Sequence, residues 1–525
     1  MRRKPPAPLL LIGAVVAVVV CLPLIYLLIR AFGSGWSPVI DTLARPRTWQ
    51  AFGLTALLAA TVAATTVVIG VPIAWLLTRA RLRARRTWTV LVVLPLAVPS
   101  FVAAFAWLSF VPGFSGFGAA WLVLAASTLP YVILPTAAAL RGLDPAHEEV
   151  ARTLGIPPVR AFLRATLPQV AAAVGGGALL VALYVLSDFG AVSILRVDTL
   201  SRVVYDSYRA SFDRTSAATL ALLLAVLAML VVAAEQRARG RSQRWRLATS
   251  APRQPPPVET GRGPALASHL LLVLVVGIGL AVPVIATWGQ MRTGTSARLD
   301  VGELSSAVLT TAWYGLIGMV AAVVLAIPVG LLAARYPIPS VRLIERLSFV
   351  GHALPGVVVG LGVVFIGIRL FPGLYQTVAI LGFAYAVLFV PKAIAAIRGS
   401  LATVPPVLED VARTCGLSAW AAFRSVTVRL VAPGVGAGAV MVLLTVMKEL
   451  PATLMLRPTG EHTLATRLWT LTEISAYAAA APYALALVVV GAIPAVILAV
   501  PLARGQTSGD SIGPTARAEL EESSP

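Results

Sequence analysis

Long apolar segments alternate with short polar ones along the whole chain. Each apolar segment is about as long as the roughly 20-residue helix that crosses the hydrocarbon core of a bilayer. The segments fall near residues 8–30, 52–77, 89–111, 118–140, 169–189, 216–234, 266–288, 306–334, 347–370, 376–397, 431–452 and 481–503. This pattern predicts an all-α integral membrane protein with about twelve transmembrane helices. The first segment is too long for a typical signal peptide, and we expect a retained span.

The second six segments repeat the first six. At an offset of 256 residues, "VPIAWLLTR" (71–79) matches "IPVGLLAAR" (327–335), and Pro99 matches Pro355. At an offset of 261, the polar phrase "EEVARTLG" (148–155) matches "EDVARTCG" (409–416). At 264, "DTLSRVVY" (198–205) matches "HTLATRLW" (462–469). Six spans are an even number, so both halves enter the membrane from the same side, and the repeat is parallel.

Composition shifts divide the chain further. We predict a first half over residues 1–234, a cytoplasmic linker over 235–265, a second half over 266–504 and a disordered cytoplasmic tail over 505–525. The linker is rich in Arg and Pro and has no apolar periodicity, which is typical of a flexible connection.

Charge gives the orientation. The chain is 58% hydrophobic and 12% charged, with a net charge of +20. Its basic residues lie mostly in short loops, and they are more than twice as frequent on one side of the predicted membrane as on the other. The positive-inside rule explains this excess, so we expect no nucleic-acid partner. It predicts cytoplasmic N- and C-termini and cytoplasmic polar phrases in a multi-pass protein of the cell membrane.

Motifs of catalysis are absent from the sequence. It contains no phosphate-binding G-x-x-x-x-G-K-[ST], no H-E-x-x-H, no C-x-x-C and no G-x-S-x-G. The four histidines are scattered, and Cys21 and Cys415 lie in different settings. We therefore predict no catalytic residue, no metal site and no cofactor bound by this chain.

Three charged residues lie at predicted membrane depth or at its rim: Asp188, Lys448 and Glu449. Ionisable groups there are costly and often mark a transport pathway. Asp188 aligns with Glu449, so each half places one carboxylate at the outer end of its fifth span. One hypothesis is a pair that flanks a central pathway. The alternatives are a salt bridge between Lys448 and a nearby acid, or simple exposure at the interface.

The repeated polar phrase predicts two small amphipathic helices. A helix that starts near Pro145 carries two glutamates in its first turns, and Gly155 ends it as a C-cap. Pro157 suits the first turn of a second short helix. Such a surface, presented twice, fits the grooves of two copies of a partner. The alternative is a helix that lies on the membrane.

These residues carry a family resemblance. "EVARTLG" (149–155) followed by "FLRATLP" (162–168) resembles the E-A-A-x-x-x-G signature of permeases of binding-protein-dependent ABC importers. The second copy, "DVARTCG" (410–416), is similar, with Asp410 for the usual Glu and Arg429 where the first copy has Pro168. The resemblance covers nearly the whole chain and implies the type I importer permease fold. It also implies that Glu149, Ala151 and Gly155, and Asp410, Ala412 and Gly416, couple the permease to an ATPase.

The resemblance further implies partners and a substrate. We expect two copies of an ABC ATPase subunit, which hold ATP and Mg, and an extracytoplasmic substrate-binding protein, all at the lipid bilayer. "KELPATLMLRPTG" (448–460) resembles the fused permeases of ferric iron importers, while permeases for thiamine, polyamines, sulfate or molybdate share the architecture. Two other classes stay open: an ion-coupled secondary transporter that uses Asp188, Lys448 and Glu449, and a multi-span membrane enzyme.

Overall fold

A computed structural model gives the fold. It describes residues 5–143, 146–209, 213–244, 261–293 and 300–504, except for the side chains of residues 147, 158, 236, 238–244, 293 and 493–504. Helices form most of this part of the chain, as the long apolar segments predict, because backbone groups in a bilayer must bond within their own segment.

The described residues of the first half form thirteen α-helices. In chain order they are α1 (Ala7–Phe32), α2 (Ser37–Ala44), α3 (Pro46–Arg79), α4 (Arg85–Val93), α5 (Ser100–Phe110), α6 (Phe117–Thr128), α7 (Pro130–Arg141), α8 (Ala146–Thr153), α9 (Pro158–Ala161), α10 (Leu167–Ser187), α11 (Gly190–Ile194), α12 (Leu200–Arg209) and α13 (Arg214–Arg244).

Another thirteen lie in the part of the second half that the structure describes. They are α14 (Arg262–Val276), α15 (Val282–Thr293), α16 (Val301–Arg335), α17 (Pro339–Ser348), α18 (Val350–Ala353), α19 (Gly356–Leu370), α20 (Val378–Ala402), α21 (Val407–Thr414), α22 (Ala419–Ala422), α23 (Arg429–Met447), α24 (Pro451–Leu456), α25 (Leu464–Glu473) and α26 (Tyr477–Arg504).

The described residues include nine helices that are long and apolar enough to cross a membrane, or eleven if each of two bent pairs is one span. The sequence predicted about twelve. The last predicted span falls in α26, where Tyr477–Ala492 is the apolar helix that the structure describes.

Two of the predicted spans, 89–111 and 347–370, are broken rather than continuous. The chain bends by 92° between Ala97 and Ser100 and by 105° between Ala353 and Gly356. Pro99 and Pro355 cause both breaks, because proline lacks an amide hydrogen and forces the residue before it out of the helical region. Accordingly, Val98 and Leu354 are extended. The two prolines that matched in the sequence thus bend equivalent spans.

The first span of each half packs against the other half. Helix α1 contacts α17 and α19, whereas α14 contacts α4 and α15 contacts α5. Small residues permit the close approach: a Cβ at Gly362 would lie 2.7 Å from the Pro23 carbonyl oxygen, and one at Gly279 would lie 3.2 Å from the Pro95 ring. The two halves therefore interlock, which the repeat alone did not predict.

The predicted domain boundaries can be compared with the structure only where their residues are described. The boundary at residue 234 lies inside α13, which continues to Arg244. Residues 245–260 of the predicted linker and the whole predicted tail, 505–525, lie outside the described part of the chain. Their roles stay predictions.

Candidate functional site

The first polar phrase folds as two short helices at one end of the bundle. Helix α8 carries Glu148 and Glu149 in its first turn, and it ends at Gly155, whose φ of +81° is left-handed. The Ile156 amide donates to the Ala151 carbonyl at 3.1 Å, and the Gly155 amide donates to Arg152 at 3.0 Å. This is the Schellman pattern, which glycine adopts without strain. The predicted C-cap is confirmed; the predicted start at Pro145 lies outside the described residues.

The second polar phrase repeats this geometry. Helix α21 ends at Gly416, with φ at +90°. The Leu417 amide donates to the Ala412 carbonyl at 3.2 Å, and the Gly416 amide donates to Arg413 at 3.0 Å. Ala151 and Ala412 therefore share one structural role: their carbonyls close the cap. We call residues 146–166 the first loop and residues 407–428 the second loop.

Both loops expose apolar side chains. In the first loop the exposed fraction of Leu154 is 75%, and Val150 and Val159 are also exposed. In the second loop the exposed fraction of Trp420 is 69%, and Val411 is exposed too. These residues share the loops with charged side chains such as Glu149. An apolar helix face with a polar rim is typical of a surface that docks into a groove of a partner.

The residues that attach each loop to the bundle were missed by the sequence analysis. The Thr166 hydroxyl donates to the Glu148 carboxylate at 2.7 Å, across 18 residues. In the second loop the Thr427 hydroxyl donates to the Glu409 carboxylate, again across 18 residues. A signal was present: Glu148 and Glu409 are identical at the 261-residue offset, whereas their neighbours Glu149 and Asp410 differ.

The hydroxyls lie on an unusual stretch of helix. Residues Phe162–Thr166 and Phe423–Val428 each form a π-helical turn where the loop joins the fifth span. Such turns are rare and are frequently found at functional sites. Thr166 and Thr427 both lie within these turns and are buried. The glutamate–threonine bond thus ties each short helix to the base of α10 or α23.

An arginine distinguishes the two loops. Arg335, the last residue of α16, donates to the Glu409 carboxylate at 2.7 Å, and the two side chains are only 18% and 17% exposed. Its counterpart Arg79, the last residue of α3, donates instead to the Leu140 carbonyl at 3.3 Å. The Arg79 charge still interacts with Glu148 and Glu149, but through space. Only the second loop has a short ion pair of this kind in the described part of the protein.

The predicted pathway residues lie at the far ends of the fifth spans, away from both loops. The Asp188 carboxylate accepts from the Ser100 hydroxyl and from the Ala191 amide at 2.9 Å, and Asp188 is only 7% exposed. The Glu449 carboxylate accepts from the amides of Ala452 and Thr453, at 3.0 and 2.9 Å. Each carboxylate therefore caps the short helix that follows it.

Lys448 is held differently from the predicted salt bridge. Its ammonium group donates to the Leu96 carbonyl at 2.8 Å, in the first half, and no acidic side chain within 4 Å pairs with it among the described residues. The alternative of an ion pair with a nearby acid is therefore wrong. So is simple exposure for Asp188, which is buried. Lys448 thus bonds directly across the seam between the halves, whereas Asp188 and Glu449 each bond within their own half.

The structure offers no obvious metal cage. Within the described ranges, no group of three or more His, Cys, Asp and Glu side chains lies close enough together to hold a metal ion. The two cysteines are both free.

Comparison with known proteins identifies the class. The family "Binding-protein-dependent transport system inner membrane component" matches residues 66–237 and 326–504, one match in each half. The chain belongs to this family. It is thus a multi-pass inner-membrane permease of a binding-protein-dependent importer.

Three individual relatives show which transport permeases the chain resembles. The chain is 33% identical over 501 residues to the Fe(3+)-transport system permease protein FbpB 2 of Haemophilus influenzae, covering 95% of this chain and 99% of the relative. It is 28% identical to the sulfate transport system permease protein CysW of Escherichia coli, over 41% of this chain and 81% of the relative. It is 32% identical to the molybdenum transport system permease protein ModB of Mycobacterium tuberculosis, over 41% and 88%. The fused, two-half architecture resembles the first of these.

Proposed function

We propose that this chain is the membrane permease of an ATP-driven importer, which moves a substrate from an extracytoplasmic binding protein into the cytoplasm. The observation that carries the proposal is the duplicated loop. Two short helices, each closed by a left-handed glycine, present exposed apolar residues at the same end of the bundle. A secondary transporter needs no such pair of docking surfaces.

The proposal gives each loop a partner. Two copies of an ABC ATPase subunit dock on the cytoplasmic face, one on each loop, and ATP and Mg are held by those subunits. Glu149 and Asp410 supply the polar rim of each docking surface. Ala151 with Gly155, and Ala412 with Gly416, fix the shape of the cap. The termini lie in the cytoplasm, in line with the excess of basic residues on that side.

Coupling requires differential binding. ATP drives transport only if the closed ATPase pair binds one conformation of the permease more strongly than the other. The Glu148–Thr166 and Glu409–Thr427 bonds supply the mechanical connection, because they join each docking helix to the base of a fifth span. A movement of the loop then moves α10 or α23.

The two carboxylates predicted to flank the pathway have a structural role in this proposal. Asp188 and Glu449 lie at the far ends of α10 and α23, where they cap α11 and α24. We infer that they hold the backbone beside the pathway. Their carboxylates are occupied by amide and hydroxyl donors, which argues against the alternative of an ion-coupled transporter, where a carboxylate must exchange its partner in every cycle.

Ferric iron is the substrate we propose. A relative that aligns with 95% of the chain is named a Fe(3+)-transport permease. Sulfate or molybdate is the second candidate, since permeases named for them match part of the chain at lower coverage. Thiamine and polyamines stay further candidates.

The test is reconstitution in proteoliposomes with the ATPase and the binding protein. We expect uptake of ⁵⁵Fe(III) that requires ATP inside and binding protein outside. Titration of the isolated binding protein with Fe(III), sulfate and molybdate separates the candidates. Tight binding of an oxyanion without iron would overturn the iron assignment, and uptake that continues without ATP would overturn the importer mechanism.

A further inference from the structure

Lys448 joins the two halves at the point where a span of the first half is broken. Its ammonium group donates to the Leu96 carbonyl at 2.8 Å. Leu96 lies in the short 3₁₀ turn Leu94–Ala97, directly before the 92° bend. Lys448 directly follows α23, the fifth span of the second half. We call this hydrogen bond the seam bond, since it connects the end of α23 to the broken span of the other half.

The Pro99 break removes both backbone donors that the Leu96 carbonyl could use. A carbonyl accepts from the amide three residues on in a 3₁₀ turn and four residues on in an α-helix. The first of these residues is Pro99, which has no amide hydrogen, and the second is Ser100, which starts α5 beyond the bend. A carbonyl without a partner is costly away from water, so the Lys448 ammonium takes the place of the missing backbone donors.

Helix α26 passes close to the seam bond and leaves room for it. A Cβ at Gly491 would lie 3.2 Å from Lys448 Cε and 3.0 Å from the Ala97 carbonyl oxygen. A larger residue at this position would therefore crowd the lysine and the broken span at once. An ammonium group at membrane depth is costly unless it is well partnered. The geometry thus holds Lys448 for this one bond.

The first half has a different residue at the equivalent position. Lys448 corresponds to Ser187 at the 261-residue offset. The serine side chain is much shorter than that of lysine, and in the described part of the chain its hydroxyl makes no hydrogen bond to the second half. The connection is therefore one-sided: α23 is bonded to the other half at this point, whereas α10 is not.

Contacts run without a gap from the second loop to the seam bond. Arg335 and Thr427 hold the Glu409 carboxylate at the base of α23. Helix α23 spans 19 residues, or about 30 Å at 1.5 Å per residue, and leads to Lys448. Energetic coupling over such distances is carried by packed, hydrogen-bonded elements of this kind. The second loop is thus linked physically to a span of the first half.

We propose that Lys448 is a positioning residue for transport. Through the seam bond, a movement that the ATPase imposes on the second loop and α23 also displaces the broken span formed by α4 and α5. The two ATPase copies then differ in effect, because the second loop moves parts of both halves. The inference rests on the proposed importer function, since it assigns a role within that transport cycle.

The ratio of ATP hydrolysed to substrate imported tests this role. It is measured in proteoliposomes that hold the full permease–ATPase complex, with the binding protein and ⁵⁵Fe(III) outside. Lys448→Met keeps the length of the side chain and removes the donor. We expect import to fall while ATP hydrolysis continues, so the ratio should rise about tenfold. A residue that only stabilises the fold would lower both activities together.

Lys392→Met is the matched control. Lys392 is a second lysine within the helical bundle, and its ammonium group donates to the Thr445 hydroxyl at 3.2 Å, inside the second half. Its replacement should leave the ratio unchanged. An unchanged ratio in Lys448→Met, or an equal rise in Lys392→Met, would overturn the proposal.

Lys448→Ser decides the question if Lys448→Met does not assemble. It installs the residue that the first half carries at position 187, and it also removes the seam bond. The melting temperature and the affinity for the ATPase are measured for both variants, and we expect values close to those of the unsubstituted complex. Failure of both variants to assemble would make Lys448 a folding residue and would overturn its role in transport.

A double variant tests whether the second loop and the seam bond lie on one route. Arg335→Gln loosens the start of the route and Lys448→Met interrupts its end, so together they should raise the ratio no more than the larger single effect. Thr166→Val acts on the first loop, and its effect should multiply with that of Lys448→Met. Multiplying effects of Arg335→Gln and Lys448→Met would contradict the single route.

The unsubstituted complex keeps the two proposals apart. It is tested with ⁵⁵Fe(III), ³⁵S-sulfate and ⁹⁹Mo-molybdate, and the imported probe is then used for every variant. If ATP drives import and Lys448→Met has the normal ratio, the role of Lys448 fails and the importer function stands. If ATP drives the import of none of these probes, the importer function itself fails.

Discussion

The two loops share a fold but differ in how they are attached to the bundle. The first loop is held by Thr166 on Glu148, while Arg79 is engaged with a backbone carbonyl. The second loop has the equivalent threonine bond and, in addition, a largely buried ion pair from Arg335 to Glu409. Arg335 thus adds a second bond to the ionised Glu409 carboxylate, and a hydrogen bond to a charged group contributes about 1.5–3 kcal/mol. The second loop should therefore move with its half more rigidly than the first.

The asymmetry between the two loops lies in the partners of two equivalent arginines, Arg79 and Arg335. The sequence differs at Glu149 against Asp410 within the loops and at Pro168 against Arg429 just after them. The arginines are identical in both halves, yet the structure gives them different partners. Unequal coupling can thus arise from identical residues whose surroundings differ.

The largest expected effect is on docking. Leu154→Asp and Val411→Asp each place a charge on an exposed apolar surface that the ATPase would bury. Losing a buried aliphatic side chain costs about 1.5–3 kcal/mol, and burying an unpaired charge adds to this, so we expect ATPase affinity to fall at least about a hundredfold. Pull-down with titrated ATPase measures it.

Val301→Asp is the control for these substitutions. Val301 is an exposed apolar residue at the opposite end of α16 from Arg335, and an acid at a helix N-terminus is tolerated. If Val411→Asp weakened ATPase binding and Leu154→Asp did not, only the second loop would dock. That result would contradict the proposal that each loop binds one ATPase copy.

Arg335→Gln should loosen the second loop strongly. It leaves the Glu409 carboxylate without its charged partner, at a cost of about 2 kcal/mol, or roughly a thirtyfold change in the local opening equilibrium. Hydrogen exchange of the amides in α21 should speed up accordingly. Arg79→Gln should speed up exchange in α8 much less.

Glu345→Gln provides the comparison for that experiment. It removes an ion pair with Arg398 that does not involve either loop. Equal exchange rates for α21 in Arg335→Gln and Glu345→Gln would show that the Arg335 bond does not hold the loop.

Removing the threonine hydroxyls should have a smaller effect on hydrogen exchange than Arg335→Gln. Here the first loop should respond more than the second. Thr166→Val and Thr427→Val keep the shape of the side chain and remove one hydroxyl bond to a carboxylate, at a cost of about 1.5 kcal/mol each. Because the first loop lacks the ion pair, Thr166→Val should raise exchange in α8 about tenfold, more than Thr427→Val raises it in α21. A larger response in the second loop would contradict the ranking of the attachments.

The glycine caps should give the smallest difference between the two loops. Gly155→Ala and Gly416→Ala place a Cβ in a left-handed conformation, at a cost of about 1–2 kcal/mol, in space that is otherwise open. Both loops should lose the same amount of local stability by hydrogen exchange. A clear difference between them would show that the caps, not the anchors, set the asymmetry.

Much of this fold follows from the sequence, because apolar length and the repeat are local or periodic signals. They predicted the spans, the two halves and the glycine caps at Gly155 and Gly416. They did not predict the crossing of α1 and α15 into the opposite halves, or the choice of Arg335 over Arg79 as the anchor. Those features depend on contacts between segments far apart in the chain, which periodicity does not encode. The sequence was sufficient to predict the bends at Pro99 and Pro355, because proline alone explains them.

The central claim is that each loop receives its own ATPase copy. Cys415 is an exposed native thiol in the second loop, and Leu154 occupies the equivalent position in the first. With Cys21→Ser as the background, a photoreactive maleimide on Cys415 should capture one ATPase copy, and adding Leu154→Cys should capture a second on the same permease. Capture of one copy in both proteins, or of none, would contradict the account.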